Sequence, residues 1–419
     1  MSRDPVCPPE WPLEAFEIYE PVKLLGKGGF GSVLMAHLRE SKPNDPDEHV
    51  AIKAIAGGNN NDDNVISKEE GYAQREVAVL RELSHPHMLR LVRYFHSDTK
   101  ICIALSMAQG PTLEQLINSR GAPGVPFCRC ITAQMIDVIS FLHSRAVIHR
   151  DIKPDNIIVS HARLDEDATW SNNLDIVGDK MKKWHATLID FGLARALGPD
   201  QIKDDIGLYN TVNNISNIPP EDEDQHFIVS LDNALVENKN GRGRKNSGES
   251  LNQSISQQRV RNLSAVGNRT YAAPEIIKGV RPYKRVDSFS RSLSKSMRSR
   301  KKQAEPLANN VSDYGMVADA YSLGATVRHL LTGIPPDMDY DEFMAQRSSV
   351  LKSIKKMFQK KKDSKKDAKP KNVYRRNKDL PMEASRLVRG LTHWDPRKRT
   401  TVRAARSFPW VFDLLNNEE

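Results

Sequence analysis

The chain is poor in cysteine and in aromatic residues. Four cysteines among 419 residues, Cys7, Cys102, Cys128 and Cys130, are too few for a disulfide scaffold, and no Cys-x-x-Cys pair offers a zinc or redox site. Cys102 falls in the apolar run 101–105 and Cys128 and Cys130 fall at helix-like positions, where a thiol is ordinary packing material. Aromatics make up 6% and hydrophobic residues 39%, enough for a core in part of the chain with polar excursions around it. No uninterrupted apolar stretch reaches the roughly 18 residues that read as a bilayer span. The opening residues, Met1-Ser2-Arg3-Asp4-Pro5, lack the apolar run of a secretory leader and the glycine of a myristoylation signal. These absences predict a chain without a transmembrane segment, resident in the cytoplasm, the nucleus or both.

The net charge of +9 is local. Residues 352–378 hold 13 basic and 2 acidic residues, and residues 281–302 hold 9 basic and 1 acidic. Everything else is net acidic, so the balance describes two tracts and not a nucleic-acid-binding body. Runs such as Lys360-Lys361-Lys362 and Lys365-Lys366 predict contact with anionic partners.

Polar segments at about 160–184, 200–262, 281–310 and 352–378 bury too little apolar surface to offset their ordering entropy and are expected as mobile insertions. Shorter polar stretches at 39–48 and 57–64 fit loops. Between them, 18–38 alternates like a β-hairpin, and 49–55 and 100–107 are short β-rich runs. Residues 68–83 and 130–144 carry apolar positions at helical spacing, and 319–332 and 384–392 are also helical. Strands first and helices later predict an α+β body with two unequal lobes.

Gly26-Lys27-Gly28-Gly29-Phe30-Gly31 is followed by a further strand rather than by a helix. This argues against a dinucleotide fold and for a glycine-rich turn that lowers bare backbone N–H groups onto phosphates. Val50-Ala51-Ile52-Lys53 places one amine on a buried strand, which is costly unless it is paired. Glu76, on the next helix, is the natural partner. His149-Arg150-Asp151-Ile152-Lys153-Pro154-Asp155-Asn156 and Leu188-Ile189-Asp190-Phe191-Gly192 each put acids or an amide near a strand end, as a nucleotide–Mg²⁺ site requires.

With these motifs in this order, the chain resembles a eukaryotic protein kinase from about Phe16 to Phe412. Ala273-Pro274-Glu275 is similar to the family's APE motif, and Asp319–Gly324 to its DxWSxG helix start. The resemblance implies a small β-rich N-lobe (about 16–106) and a larger helical C-lobe (about 110–412), flanked by an extension at 1–15 and an end at 413–419. It implies ATP and Mg²⁺ as cofactors and serine or threonine in protein substrates as acceptor, since Lys153 follows the HRD motif. Asp151 would be the catalytic base and Lys153 would stabilise the transferred phosphoryl group. Lys53 and Glu76 would form the phosphate-positioning pair, and Asn156 and Asp190 would hold the metal. Leu25, Gly26, Lys27, Gly28, Gly29, Phe30, Gly31, Val33, Ala51, Lys53, Met107 and Ile158 would line the ATP site, with Leu105 as gatekeeper. Arg399 would pair with Glu275 in the interior.

The span from Asp190 to Glu275 is long for the family, and Asn268 stands where relatives carry a threonine that bonds the catalytic Asp and Lys. Ser264, three before Gly267, resembles the activating phosphosite of the cyclic-nucleotide-dependent (AGC) group and implies an upstream activating kinase, with Arg150 near the phosphate. The C-terminal tail of that group is missing. The rival from another class is a catalytically weak pseudokinase acting as a scaffold. A monomer is expected.

Overall fold

In the computed structural model, residues 8, 11–28, 31–42, 45–56, 68–97, 100–160, 184–197, 270–278, 315–358 and 373–416 are described. A five-stranded antiparallel sheet of order β1-β2-β3-β5-β4 forms the first lobe. Its strands are β1 (Tyr19–Gly28), β2 (Gly31–Leu38), β3 (His49–Ala56), β4 (Leu91–Ser97) and β5 (Lys100–Ser106). Alternation along β3 decides its two faces. Val50, Ile52 and Ala54 join Trp11, Ala15, Tyr19, Phe95 and Cys102 in one cluster. Ala51 and Lys53 point to the other face. Helix α1 (Leu13–Ile18) precedes the sheet, and Trp11 is wholly buried. The lobe therefore starts by residue 11, and the expected extension at 1–15 is corrected at that end.

Helix α2 (Lys68–Glu82) packs against the sheet through Ala73, Val77 and Leu80, so the charged Glu76 lies on its buried side. From the end of β5 a short connection leads to α3 (Leu113–Arg120), whose start is closed by reciprocal bonds between Thr112 and Gln115. The central helix of the second lobe, α4 (Val125–Ser144), begins five residues before the expected 130–144. Proline in its first turn lacks only a hydrogen bond that no helix start makes. By length and composition α4 is the one described helix apolar enough to cross a membrane, and most of it is buried inside this lobe.

Strand β6 (Val147–Ile148) leads to the segment 149–156. The hairpin of β7 (Ile157–Ser160) and β8 (His185–Leu188) follows, and β9 (Arg195–Ala196) returns to β6. Further on lie α5 (Pro274–Lys278), α6 (Met316–Thr332), α7 (Tyr340–Phe358), α8 (Met382–Leu391), α9 (Val402–Ala405) and α10 (Phe412–Asn416). Helix α6 is buried along almost its whole length, with Ala320, Leu323, Val327, Leu330 and Leu331 in the same core as Ile131, Met135 and Val138 of α4.

Three expected boundaries move. Trp184, assigned to the 160–184 insertion, is buried with its ring edge-on to Phe127. The 352–378 insertion loses both ends: α7 continues to Phe358, and Val373–Arg375 pack back on the lobe through backbone bonds to Arg120 and Thr332. The C-terminal end joins the lobe as well, because Asp413 pairs with Arg129 and Leu414 and Leu415 pack on the core. The expected insertions at 200–262 and 281–310 lie outside the described residues, as do the interiors of the other two.

Candidate active site

The crevice between sheet and helical lobe is built by three short backbone devices. At the glycine-rich turn, Gly26 pairs with Val33 and Gly28 with Gly31. Gly31 has φ +136°, and a Cβ there would sit 1.9 Å from the Ala54 carbonyl oxygen, so only glycine fits. At the other two devices, Arg150 (φ +68°) and Asp190 (φ +64°) occupy left-handed backbone without being glycine. Such conformations persist where the surroundings fix them.

For Arg150 the fixing group is Asp319 in the first turn of α6. Its carboxylate accepts from the backbone N–H of His149 (2.8 Å) and of Arg150 (2.8 Å) and contacts His143 Nε2 at 3.1 Å. Burial pushes this carboxyl up, but the His143 bond, the two His charges and the backbone donor outweigh it and hold the pKa below the usual range. Arg150 Nε also donates to the Leu193 carbonyl at 2.6 Å. The motif around Asp319 was legible as a helix start, yet its role as anchor of the 149–151 backbone was not, because its partners are main-chain groups.

Asp151 is 8% exposed and receives Lys153 Nζ at 2.7 Å on Oδ2. Asn156 Nδ2 donates both to that oxygen and to the Asp151 carbonyl, each at 2.8 Å. Both amide protons are thereby used, which leaves the amide oxygen for a cation. The Ile189 N–H donates to the Asn156 carbonyl at 2.9 Å, so Asn156 and Asp190 lie side by side at the ends of β7 and β8.

From the sheet, Lys53 Nζ reaches Glu76 Oε2 at 2.7 Å and Asp190 Oδ1 at 3.0 Å. Burial alone would lower the pKa of this amine; the two carboxylates overcome that and raise it. Glu76, 1% exposed, is pushed upward by burial, with Lys53 offsetting part of the rise. Asp190 feels the same burial, but Lys53, His149 and the Gly192 N–H win and lower it. Phe191 is wholly buried, edge-on to His149, which keeps the Asp190 turn packed against the 149–156 segment.

Leu25 stands at the exposed lip, Gly26 and Lys27 on β1, and Val33, Ala51 and Ile158 on strands facing the crevice. Ala51 is registered against the buried Leu105, and Met107 directly follows β5. Lys53, Glu76, Asp151, Lys153, Asn156 and Asp190 are thus brought to one place. Gly29, Phe30, Ser264 and Asn268 lie outside the described residues.

Away from the crevice, Glu275 meets the fully buried Arg399 through two bonds of 2.6 and 2.9 Å, the pair expected from the sequence. Arg399 also donates to the carbonyls of His393 and Val317. Residues 19–216 match the family model described as the protein kinase domain. This stretch carries a protein kinase domain. The matched stretch of the kinase ends in the long span after Asp190, and the helices beyond that span still complete the second lobe. Similar curated proteins include CBL-interacting protein kinase 17 of Oryza sativa subsp. japonica, 31% identical over 48% of this chain and 38% of its own. Aurora kinase A-A of Xenopus laevis is 34% identical over 36% of this chain and 34% of its own. The probable serine/threonine-protein kinase fhkA of Dictyostelium discoideum is 24% identical over 95% of this chain and 50% of its own. The kinase therefore spans half or less of the length of these relatives.

Proposed function

We propose that the chain transfers the γ-phosphoryl group of ATP, as its Mg²⁺ complex, to serine or threonine hydroxyls of protein substrates. The observation that carries this reading is Lys53 held between Glu76 and Asp190 in the crevice that also holds Asp151, Lys153 and Asn156. The donor set fits the nucleotide. A glycine-rich turn with open space beside Gly26 leaves room for phosphates, an amine meets them, and one carboxylate and one amide oxygen supply hard ligands for magnesium. When bound, the metal would neutralise phosphate charge and bridge the transferring group.

The residues then divide the work by position. Lys53, fixed by Glu76, orients phosphate oxygens. Asp151 accepts the hydroxyl proton of the substrate, and Lys153 beside it balances charge on the moving phosphoryl group. Asn156 holds Asp151 through its amide and offers its oxygen to the metal with Asp190. Most of the rate comes from holding these groups in place in a cleft that excludes water.

Asp151→Asn keeps the shape and removes the base, so phosphorylation of a test substrate should fall by about 10²–10⁴-fold. Equal rates for both proteins would overturn the reading in favour of the scaffold alternative. No observation favours that alternative, since all six groups converge.

The same reading extends to substrates and regulation. Burial raises the pKa of the Tyr271 hydroxyl, and the nearby carboxylates of Glu114, Asp155 and Asp337 raise it further. This negative field supports a preference for basic residues beside the acceptor, which a peptide-library profile tests. Activation by phosphorylation at Ser264 predicts that Ser264→Ala is not stimulated by an activating kinase. Monomeric state, cytoplasmic or nuclear residence and attraction of the basic tracts to anionic partners belong to the same proposal. Sedimentation, fractionation and vesicle binding of a 359–372 deletion test them in turn.

A further inference from the structure

At the end of the sheet away from the glycine turn, β2 and β3 close on two histidines. His37 and His49 are direct cross-strand partners and the last pair of that ladder. Leu38 N–H bonds the Glu48 carbonyl at 2.8 Å, so the 37/49 position is the neighbouring pair without mutual bonds, where side chains approach most closely. The imidazoles lie 5.2 Å apart at 73°. Glu48 turns its carboxylate into the same place, with Oε1 3.4 Å from His37 Nε2. One ligand atom from each of His37, Glu48 and His49 lies within 4.8 Å of the other two.

From this geometry we propose a zinc site formed by His37, Glu48 and His49. A tetrahedral ion with bonds of 2.0–2.1 Å spaces its ligands by about 3.3 Å. The His37–Glu48 separation already has that value, and small side-chain rotations bring in His49. Two imidazoles and one carboxylate suit zinc and disfavour magnesium or calcium, which take oxygen. The three groups are half-buried, which leaves a fourth position for water. Glu20 on β1 is registered against His37 and is the next carboxylate in the row, held at 3.7 Å by Arg39.

The site shares no residue with the proposed catalytic set. It lies one residue beyond the Val50–Ser106 pair that ends the β3–β5 ladder, so a bound ion would staple the hairpin beside the segment joining the lobes. Without metal, the same groups form an edge-to-face histidine pair with the Glu48 carboxylate 3.4 Å from His37 Nε2, and the experiment separates the two outcomes.

Chelator-treated, tag-free full chain is titrated with Zn²⁺ by calorimetry in nucleotide-free, magnesium-free buffer. The expected result is one saturable equivalent that is missing in His37→Gln/His49→Gln and weakened roughly tenfold or more in Glu48→Gln. Circular dichroism in chelator should be the same for all three proteins. No binding by the parent, or binding that persists in the double variant, overturns the site. Should the double variant misfold, the zinc-edge X-ray fine structure of the loaded parent reads the ligands directly. Two imidazoles support the proposal, and a sulfur or oxygen-only shell refutes it.

Discussion

Asp319→Asn isolates the link between α6 and the catalytic backbone. The residue is 1% exposed, and its two side-chain oxygens serve three partners: Oδ1 takes the Arg150 N–H, while Oδ2 takes the His149 N–H and faces His143. Asparagine has the same outline but only one acceptor oxygen, so one side must set an NH₂ group against donors. Hydrogen bonds to a charged group contribute about 1.5–3 kcal/mol each. Losing one and converting another to a neutral bond gives roughly 3–5 kcal/mol. For a domain of this size that is a drop in melting temperature of roughly 6–20 °C. Because the freed backbone includes left-handed Arg150, next to Asp151, kcat should fall further than the change in KM for ATP accounts for. Thermal melts and steady-state kinetics measure both. Asp341→Asn, at an ion pair whose carboxylate is 80% exposed, serves as control and should stay within about 0.5 kcal/mol. If Asp319→Asn melts within a degree or two of the parent and keeps its kcat, the anchoring role is wrong. The lowered pKa of Asp319 adds a pH signature. Its stabilisation is present above the unfolded value near 4 and is lost as pH falls through the lower folded value.

Glu76→Gln keeps an acceptor for Lys53 but loses the charge, while Asp190 still holds the amine; kcat/KM should fall by about 1–2 kcal/mol, roughly five- to thirty-fold. A loss as large as that of Lys53→Met in the same assay would contradict a shared role for Asp190. Arg399→Leu leaves the partly buried Glu275, 16% exposed, without its partner and should cost up to about 3–5 kcal/mol in denaturant unfolding, with Glu275→Leu/Arg399→Leu costing less. A double variant worse than the single one would count against pairing as the cause. His87, lowered by burial and by the neighbouring His185 to about 4, is neutral in the fold where the unfolded chain is protonated. Melting temperature should therefore drop as pH goes from about 6.5 to 4. His87→Asn should flatten part of that slope, the rest belonging to His149 and His329, which burial lowers as well. An unchanged slope would remove His87 from the explanation.

What the sequence made legible is what short runs of residues carry by themselves. The alternation of 49–55 gave β3, and the buried amine at Lys53 demanded an acid that Glu76 supplies. The spacing of the HRD-like and DFG-like segments placed their groups on adjacent strand ends. Strand β4 was not read, because it is an edge strand broken by a bulge between Leu91 and Arg93 with only Phe95 buried. Helix α7 was not read, because its C-terminal turns are the start of the basic tract, where charge hides the period. Trp11 and Trp184 are single large side chains in polar surroundings whose burial depends on partners far along the chain. Asp137, held at about 2 by His85 and Arg406 against the cost of burial, shows the same limit: its partners lie on other elements, and no local pattern points to them.

The hairpin of β7 and β8 opens at Ser160 opposite His185, registered partners joined by a side-chain bond at 3.4 Å. The two positions are held one strand-spacing apart and Trp184 is anchored in the core, so cargo hung between Ser160 and Trp184 need not pull on Asn156 or Asp190 at the far end. A fluorescent reporter spliced between Ser160 and Trp184 would ride on the protein with little entropic penalty for its length.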